Sequence, residues 1–181
     1  MQPLQLTNGD YTLIDQEDLE RCIKFRWLLT SKGYAKRQDK GRDVFLHNFI
    51  LSLPSSSGVD HINRDKLDNR KENLRIANPT QQNSNQGLRS DNTLGFKGVS
   101  FEVAASGRVR YRAKLFVKQK QIYFGNYDTP EEAAKAYDNG AIEHFGEFAC
   151  TNESLGLFKS TKSLDLKASL ADLVNLSDEE E

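Results

Sequence analysis

The chain has 181 residues, 37% of them hydrophobic and 28% charged. No stretch approaches the roughly 20 apolar residues of a membrane span, which excludes a transmembrane protein, and this length suits one ordinary domain or two small ones. The N-terminal MQPLQLTNGD has neither a basic n-region nor an apolar h-region, and the two cysteines, Cys22 and Cys150, form no CxxC pair. A disulfide scaffold and a cysteine-ligated zinc site are thereby excluded, and a reducing, cytoplasmic setting is expected. The formal net charge of −1 conceals a segregation: residues 88–127 carry eight basic and two acidic groups, whereas residues 128–181 carry four basic and 13 acidic. Because screening in physiological salt acts over about 8 Å, a basic face can meet phosphates independently of an acidic one.

In chain order, Asp15-Gln16-Glu17-Asp18 reads as the opening of a short helix. Trp27, Gly33-Tyr34-Ala35, Leu46 and Phe49-Ile50-Leu51 read mostly as core. Trp27 is expected as buried packing and His47 as a structural histidine. Residues 59–88 then read strand, loop, strand, helix: Val59-Asp60-His61, a loop rich in charge and asparagine, Leu74-Arg75-Ile76-Ala77, and a polar stretch from Thr80 to Leu88 behind Pro79. Asp60 stands beside His61, Asn73 follows twelve residues after the histidine, and Gln82 and Asn83 fall on the helix. Oxygen donors of this kind suit Mg2+ or Mn2+ over zinc, and a neutral imidazole beside such an ion can take a proton from water for attack on phosphorus. Strict alternation would aim Asp60 and His61 to opposite faces, so a kink or strand end is predicted there.

The run from Asp60-His61-Ile62-Asn63 through Asp68-Asn69-Arg70 to Asn73-Leu74-Arg75-Ile76-Ala77 closely resembles the HNH motif of phage and intron-encoded homing endonucleases. That resemblance implies a ββα-metal nuclease module over residues 1–88, including the leader that precedes the motif. It also implies His61 as general base, Asn73 as the residue that orients it, and Asp60 as a metal ligand. The position that completes the family's metal site is here Gln82 with Asn83 adjacent, so a looser amide or a shifted helix register takes that role. Asn48 stands where the family carries an arginine after the histidine.

Residues 89–94 read as a polar linker that tracks along DNA. Beyond it, Val99 and Phe101 alternate toward a core, and Arg110, Arg112 and Lys114 recur at every second position on one strand face. Gln121 and Tyr123 alternate with Ile122 and Phe124 on a third strand. Thr129-Pro130-Glu131-Glu132 is a capping box that starts a helix whose Ala133, Ala134, Tyr137, Ala141 and Phe145 share a face, with Gly146 as its stop. Gly95-Phe96-Lys97-Gly98-Val99 through Tyr123-Phe124-Gly125-Asn126-Tyr127-Asp128 to Phe145-Gly146-Glu147-Phe148 resembles the plant ethylene-response-factor (APETALA-two) DNA-binding domain, over residues 95–152. That resemblance implies a three-stranded sheet in the DNA major groove with a helix behind it. Its contact positions fall at Lys97, Ser100, Glu102, Lys114, Phe116, Gln121 and Tyr123, and alternation adds Arg110 and Arg112 as phosphate contacts.

The fold class expected is therefore α+β, a ββα-metal module followed by a three-stranded antiparallel sheet packed on one helix. Residues 153–181 form an acidic tail, read as a short helix or disorder, whose end competes with DNA for the basic sheet. The leading function is a metal-dependent, site-specific endonuclease acting on double-stranded DNA. Two rivals stand beside it: a DNA-binding protein with a decayed nuclease site, motivated by Gln82 and Asn48, and an RNA-binding protein, motivated by the Arg and Tyr residues on a sheet face.

Overall fold

A computed structural model describes residues 1–159. Strands β1 (Gln2–Gln5) and β2 (Tyr11–Ile14) pair antiparallel, and a 3-10 turn over Gln16–Asp18 leads into helix α1 (Leu19–Cys22). Strands β3 (Leu28–Leu29), β4 (Ala35–Asp39) and β5 (Arg42–Phe45) form a meander that runs into helix α2 (Leu46–Ile50). The expected strand, loop, strand and helix follow as β6 (Val59–His61), β7 (Leu74–Ile76) and α3 (Pro79–Ser84), with Asp60 opposite Arg75 and His61 opposite Leu74. Strand β6 ends at His61, where the Arg64 amide closes a turn onto its carbonyl, so the predicted strand end is present.

A core of Leu4, Leu6, Ile14, Cys22, Trp27, Leu46, Ile50, Val59 and Leu74 holds this first unit. Trp27 is fully buried, and its indole N–H donates to the Cys22 carbonyl at 2.9 Å, so its polar atom is satisfied. The leader also supports the motif loop, because the Leu13 amide donates to Leu67 O and the Asn69 amide to Leu13 O. Helix α3 has an Asn78/Gln81 capping box with Pro79 in its first turn. It ends earlier than the polar stretch suggests, because at Asn85 the side chain turns inward to Asp60 and the His61 carbonyl.

The second unit is the sheet of β8 (Val99–Val103), β9 (Val109–Val117) and β10 (Lys120–Tyr127), in the order β10-β9-β8, all antiparallel, backed by helix α4 (Pro130–Phe145). Tyr111, Ala113 and Leu115 of β9 are buried against Ala133, Ala134, Tyr137 and Ala141, as the two periodicities require. Val99 joins this core, but Phe101, two residues further along the edge strand, remains 36% exposed. Phe124 is the extra residue of a bulge between Tyr123 and Gly125, and its ring lies where a Cβ on Gly140 would stand, 2.1 Å from its Cζ. Gly98, at φ +74°, likewise passes under the Tyr137 ring. The packed unit continues past residue 152. Asn152 is fully buried with its amide on Asp138, and Leu157 and Phe158 cover the core, Phe158 lying 5.5 Å from Phe96 between ring centres. Residues 160–181 of the acidic tail lie outside the described residues.

Candidate active site

Strand β6, the loop behind it and helix α3 converge on an open cleft of about 510 Å³ lined by Asp60, His61, Gln82, Asn83 and Asn85 together with Tyr34, Arg64 and Lys66. Four residues singled out from the sequence, Asp60, His61, Gln82 and Asn83, are therefore brought to one surface. His61 is buried, and burial holds its pKa below the ordinary histidine value, so the ring is neutral near neutral pH. Its Nε2 lies 3.2 Å from Asn69 Oδ1. The Asn69 amide nitrogen donates to Thr12 Oγ1 at 2.8 Å, which leaves Oδ1 as the acceptor and assigns the His61 proton to Nε2. Nδ1 is then the basic nitrogen.

The oxygen on His61 comes from Asn69 and not from Asn73. Asn73 is buried one shell further out, where its Oδ1 accepts the Asn63 amide at 2.9 Å and its Nδ2 donates to Asp68 O at 2.7 Å, so it ties the two ends of the motif loop. Asp68 works in the same loop, accepting from Asn63 Nδ2 and Arg70, and the Arg70 hydrogen bonds hold its carboxyl below the usual carboxylate range. The sequence marked this loop only as rich in asparagine and charge; nothing in its spacing separates Asn69 from its neighbours.

His47 is buried beside His61, with ring centres 5.4 Å apart and edge to face, and it stacks on Phe45. Burial, together with the neighbouring His61, pushes its pKa down to about 4. It thus packs against His61 as a neutral partner. Asn48 also faces inward, its Nδ2 donating to Pro54 O and Ser57 O, which closes the turn that leads into β6.

Asp60 is held on two sides. Arg75 Nε donates to its Oδ2 at 2.9 Å and Nη2 at 2.7 Å, while Asn85 Nδ2 reaches both carboxylate oxygens at 3.2 and 3.1 Å. Gln82 turns its Nε2 to Val59 O at 2.9 Å, and Asn83 Oδ1 accepts from Gln86 at 3.1 Å. Among the described residues no group of three or more His, Cys, Asp or Glu side chains is arranged to hold a metal ion. The donors at the cleft are one carboxylate and amide oxygens. Such a set fits a hard divalent ion that keeps several waters and takes phosphate oxygens as further ligands, and it does not fit zinc.

The sheet presents the second candidate surface. Arg110, Arg112, Lys114 and Tyr123 occupy the face away from α4, with Phe116 61% and Tyr123 52% exposed, and Gln121 and Glu102 beside them. Two of these cations have partners within the protein. Arg112 pairs with Glu102, and Arg110 pairs with Asp128, which also takes Arg108 at 2.9 Å. Ser100 lies opposite Arg112 in the register. Lys97 is turned away from this face: its Nζ donates to Ser84 O, Gln86 O and Cys150 O at 3.1, 2.6 and 3.1 Å, and burial lowers its pKa. Three carbonyls satisfy this ammonium at the junction of the two units. Its strand-entry position gave no sign of that, since the carbonyls come from segments 11 or more residues away. A broader cleft of about 920 Å³, lined by Ser100, Lys114 and Phe116, shares Asn83, Gln86 and Gly87 with the one at His61.

A family model described as HNH endonuclease matches residues 52–84. Over 151 residues the chain is 34% identical to an uncharacterized HNH endonuclease of Acanthamoeba polyphaga mimivirus, covering 80% of this chain and 76% of that protein. It is 31% identical over 97 residues to Protein 3.8 of Escherichia phage T7, covering 54% of this chain and 77% of that one. A third similarity, 31% over 109 residues and 59% of this chain, is to the AP2-like ethylene-responsive transcription factor TOE2 of Arabidopsis thaliana, of whose length it spans 20%. No solved structure matches. No helix among the described residues is long and apolar enough to cross a membrane.

Proposed function

Since the chain belongs to the HNH endonuclease family, we propose that it is a metal-dependent endonuclease of the homing type. In this reading it hydrolyses a phosphodiester of double-stranded DNA in a host cytoplasm, at sites chosen by its C-terminal sheet. The observation that carries this reading is the shared cleft: a neutral His61 with its Nε2 proton on Asn69 opens onto the same surface as Asp60, Gln82 and Asn83, with Arg64 and Lys66 at the rim.

His61 Nδ1 takes the proton of the attacking water as general base. Asn69 fixes the ring, and Asn73 holds the loop that carries Asn69. Asp60, with Gln82 or Asn83, would hold Mg2+ or Mn2+, which would supply Lewis-acid stabilisation of the negative charge that develops at the phosphate. Arg64 and Lys66 supply positive charge for the flanking phosphates. On the sheet, Lys114, Phe116, Gln121 and Tyr123 approach the bases, with Arg110 and Arg112 on phosphates and Ser100 and Glu102 at the edge.

Incubation with duplex DNA and Mg2+ should give nicks or breaks, and His61→Ala should slow them by about 10²–10⁴-fold, the usual contribution of a positioned general base. Undiminished cutting by that variant refutes the assignment of the base. Gln82 motivates the decayed-site reading, in which binding persists without cleavage and Gln82→Asn restores it.

A further inference from the structure

The two units meet at a small set of named contacts. The turn over Gly146–Phe148 that follows α4 lies against α3, and Arg75 of β7 reaches it. Ser84 Oγ donates to Phe148 O at 2.9 Å, Lys97 Nζ bridges Ser84, Gln86 and Cys150, and Arg64 Nη1 lies 3.4 Å from Cys150 Sγ. Arg75 occupies the centre of this junction and touches both sides. Its Nε and Nη2 hold Asp60 Oδ2, its Nη1 donates to Glu147 O at 2.6 Å, and its guanidinium carbon lies 3.9 Å over the Phe148 ring. The side chains of Arg75 and Asp60 are only 13% and 9% exposed, so water competes weakly for this pair.

A guanidinium is a rigid planar fork. Once one edge is fixed by the Glu147 carbonyl and one face by Phe148, the remaining edge can present its N–H groups to a carboxylate in one orientation only. Both of those N–H groups go to Oδ2, and Oδ1 keeps only the longer contact to Asn85. The carboxylate is therefore set with one oxygen committed and the other left for the cleft. We propose that Arg75 is a positioning residue through which docking of the C-terminal unit sets Asp60, so that the sheet-bearing unit is a structural part of the nuclease centre. This rests on the reading of Asp60 as a metal ligand.

Two charge-conserving substitutions in the full chain test it. Arg75→Lys keeps the positive charge and loses the fork; Phe148→Leu keeps an apolar side chain, lies outside the cleft, and removes the aromatic face under the guanidinium. Mn2+ is titrated calorimetrically into each protein without DNA, duplex binding is measured in chelator, and the Mg2+ dependence of nicking is measured separately. Outer-shell partners of metal ligands typically affect affinity by about 10–100-fold. Mn2+ affinity should accordingly fall about tenfold in Arg75→Lys and by about three- to tenfold in Phe148→Leu. The Mg2+ needed for half-maximal nicking should rise in step, and chelator-phase DNA binding should stay at the wild-type value. Unchanged Mn2+ affinity in variants that retain the wild-type Trp27 fluorescence overturns the proposal, as does a loss confined to DNA binding, or a wild-type chain that takes up no Mn2+. If Phe148→Leu does not fold, Arg75→Lys decides alone. A wild-type protein that binds Mn2+ but never nicks refutes the nuclease reading while the calorimetry still decides the coupling.

Discussion

Gly140→Ala sets two opposing effects against each other on α4. Alanine is favoured over glycine in a helix interior by about 1 kcal/mol, so local propensity alone makes the variant more stable. The new Cβ, however, would stand 2.1 Å from Phe124 Cζ and 2.5 and 2.6 Å from Cε1 and Cε2. Every one of these is an overlap, so the ring or the helix must move. Overpacking of this kind costs about 1–3 kcal/mol, and driving Phe124 into solvent forfeits about 2 kcal/mol of burial. These are alternative ways to relieve one overlap, each costing about 2 kcal/mol, so against the propensity gain the net expectation is a loss of about 1 kcal/mol. In a Phe124→Ala background the obstacle is gone and the same substitution should stabilise by about 1 kcal/mol. The sign therefore reverses within one double-mutant cycle, read by urea unfolding of the four proteins with far-ultraviolet circular dichroism. Because Phe124 is the bulged residue next to Tyr123, the single variant should also bind duplex DNA more weakly. Stabilisation by Gly140→Ala while Phe124 is present would refute the packing argument.

Acid sensitivity should come from the histidine pair. The folded pKa of His47, about 4, lies below its ordinary 6.5, so the unfolded chain binds the extra proton. The stabilisation is complete above pH 6.5 and is lost as pH falls toward 4, up to about 3 kcal/mol, with His61 adding in the same direction. Urea midpoints followed by Trp27 fluorescence should fall across that window, and a slope unchanged in His47→Leu would exclude this source. Asn69→Ala removes the acceptor of the His61 proton, and loss of about 1.4 kcal/mol of hydrogen bonding predicts about tenfold slower nicking at unchanged DNA affinity. Equal rates in single-turnover assays would return the orienting role to Asn73. Asp128→Asn should release Arg108 and Arg110 for phosphate, raising duplex affinity and steepening its salt dependence; weaker binding would mean that Asp128 instead holds Arg110 in its binding pose.

Much of the architecture was legible because its signals are local. The Thr129-Pro130-Glu132 start of α4 and the alternation of Tyr111, Ala113 and Leu115 against Arg110, Arg112 and Lys114 each depend on neighbours a few residues away, and each appears where the pattern puts it. The Asp60-His61 strand end and the convergence of Gln82 and Asn83 on the same cleft were legible through the motif. What escaped was set by contacts between distant segments. Asn69 is selected by Thr12, 57 residues earlier, and Asn85 by Asp60, 25 residues earlier. Arg75 and Lys97 look like ordinary surface cations until the 146–150 segment folds against them. Periodicity records which face a residue takes, and it carries no record of which remote carbonyl will meet the side chain there.

The burial of the Lys97 ammonium among three carbonyls has a consequence for geometry on a nucleic acid. Two units joined only by a polar hexapeptide would sample a spread of separations that grows as the square root of the linker's length. Here the spacing is riveted by hydrogen bonds that bypass residues 89–94 altogether. If the sheet grips DNA as proposed, the distance from grip to blade is set by these bonds and not by the connecting peptide, and insertions there should leave the scissile step in register.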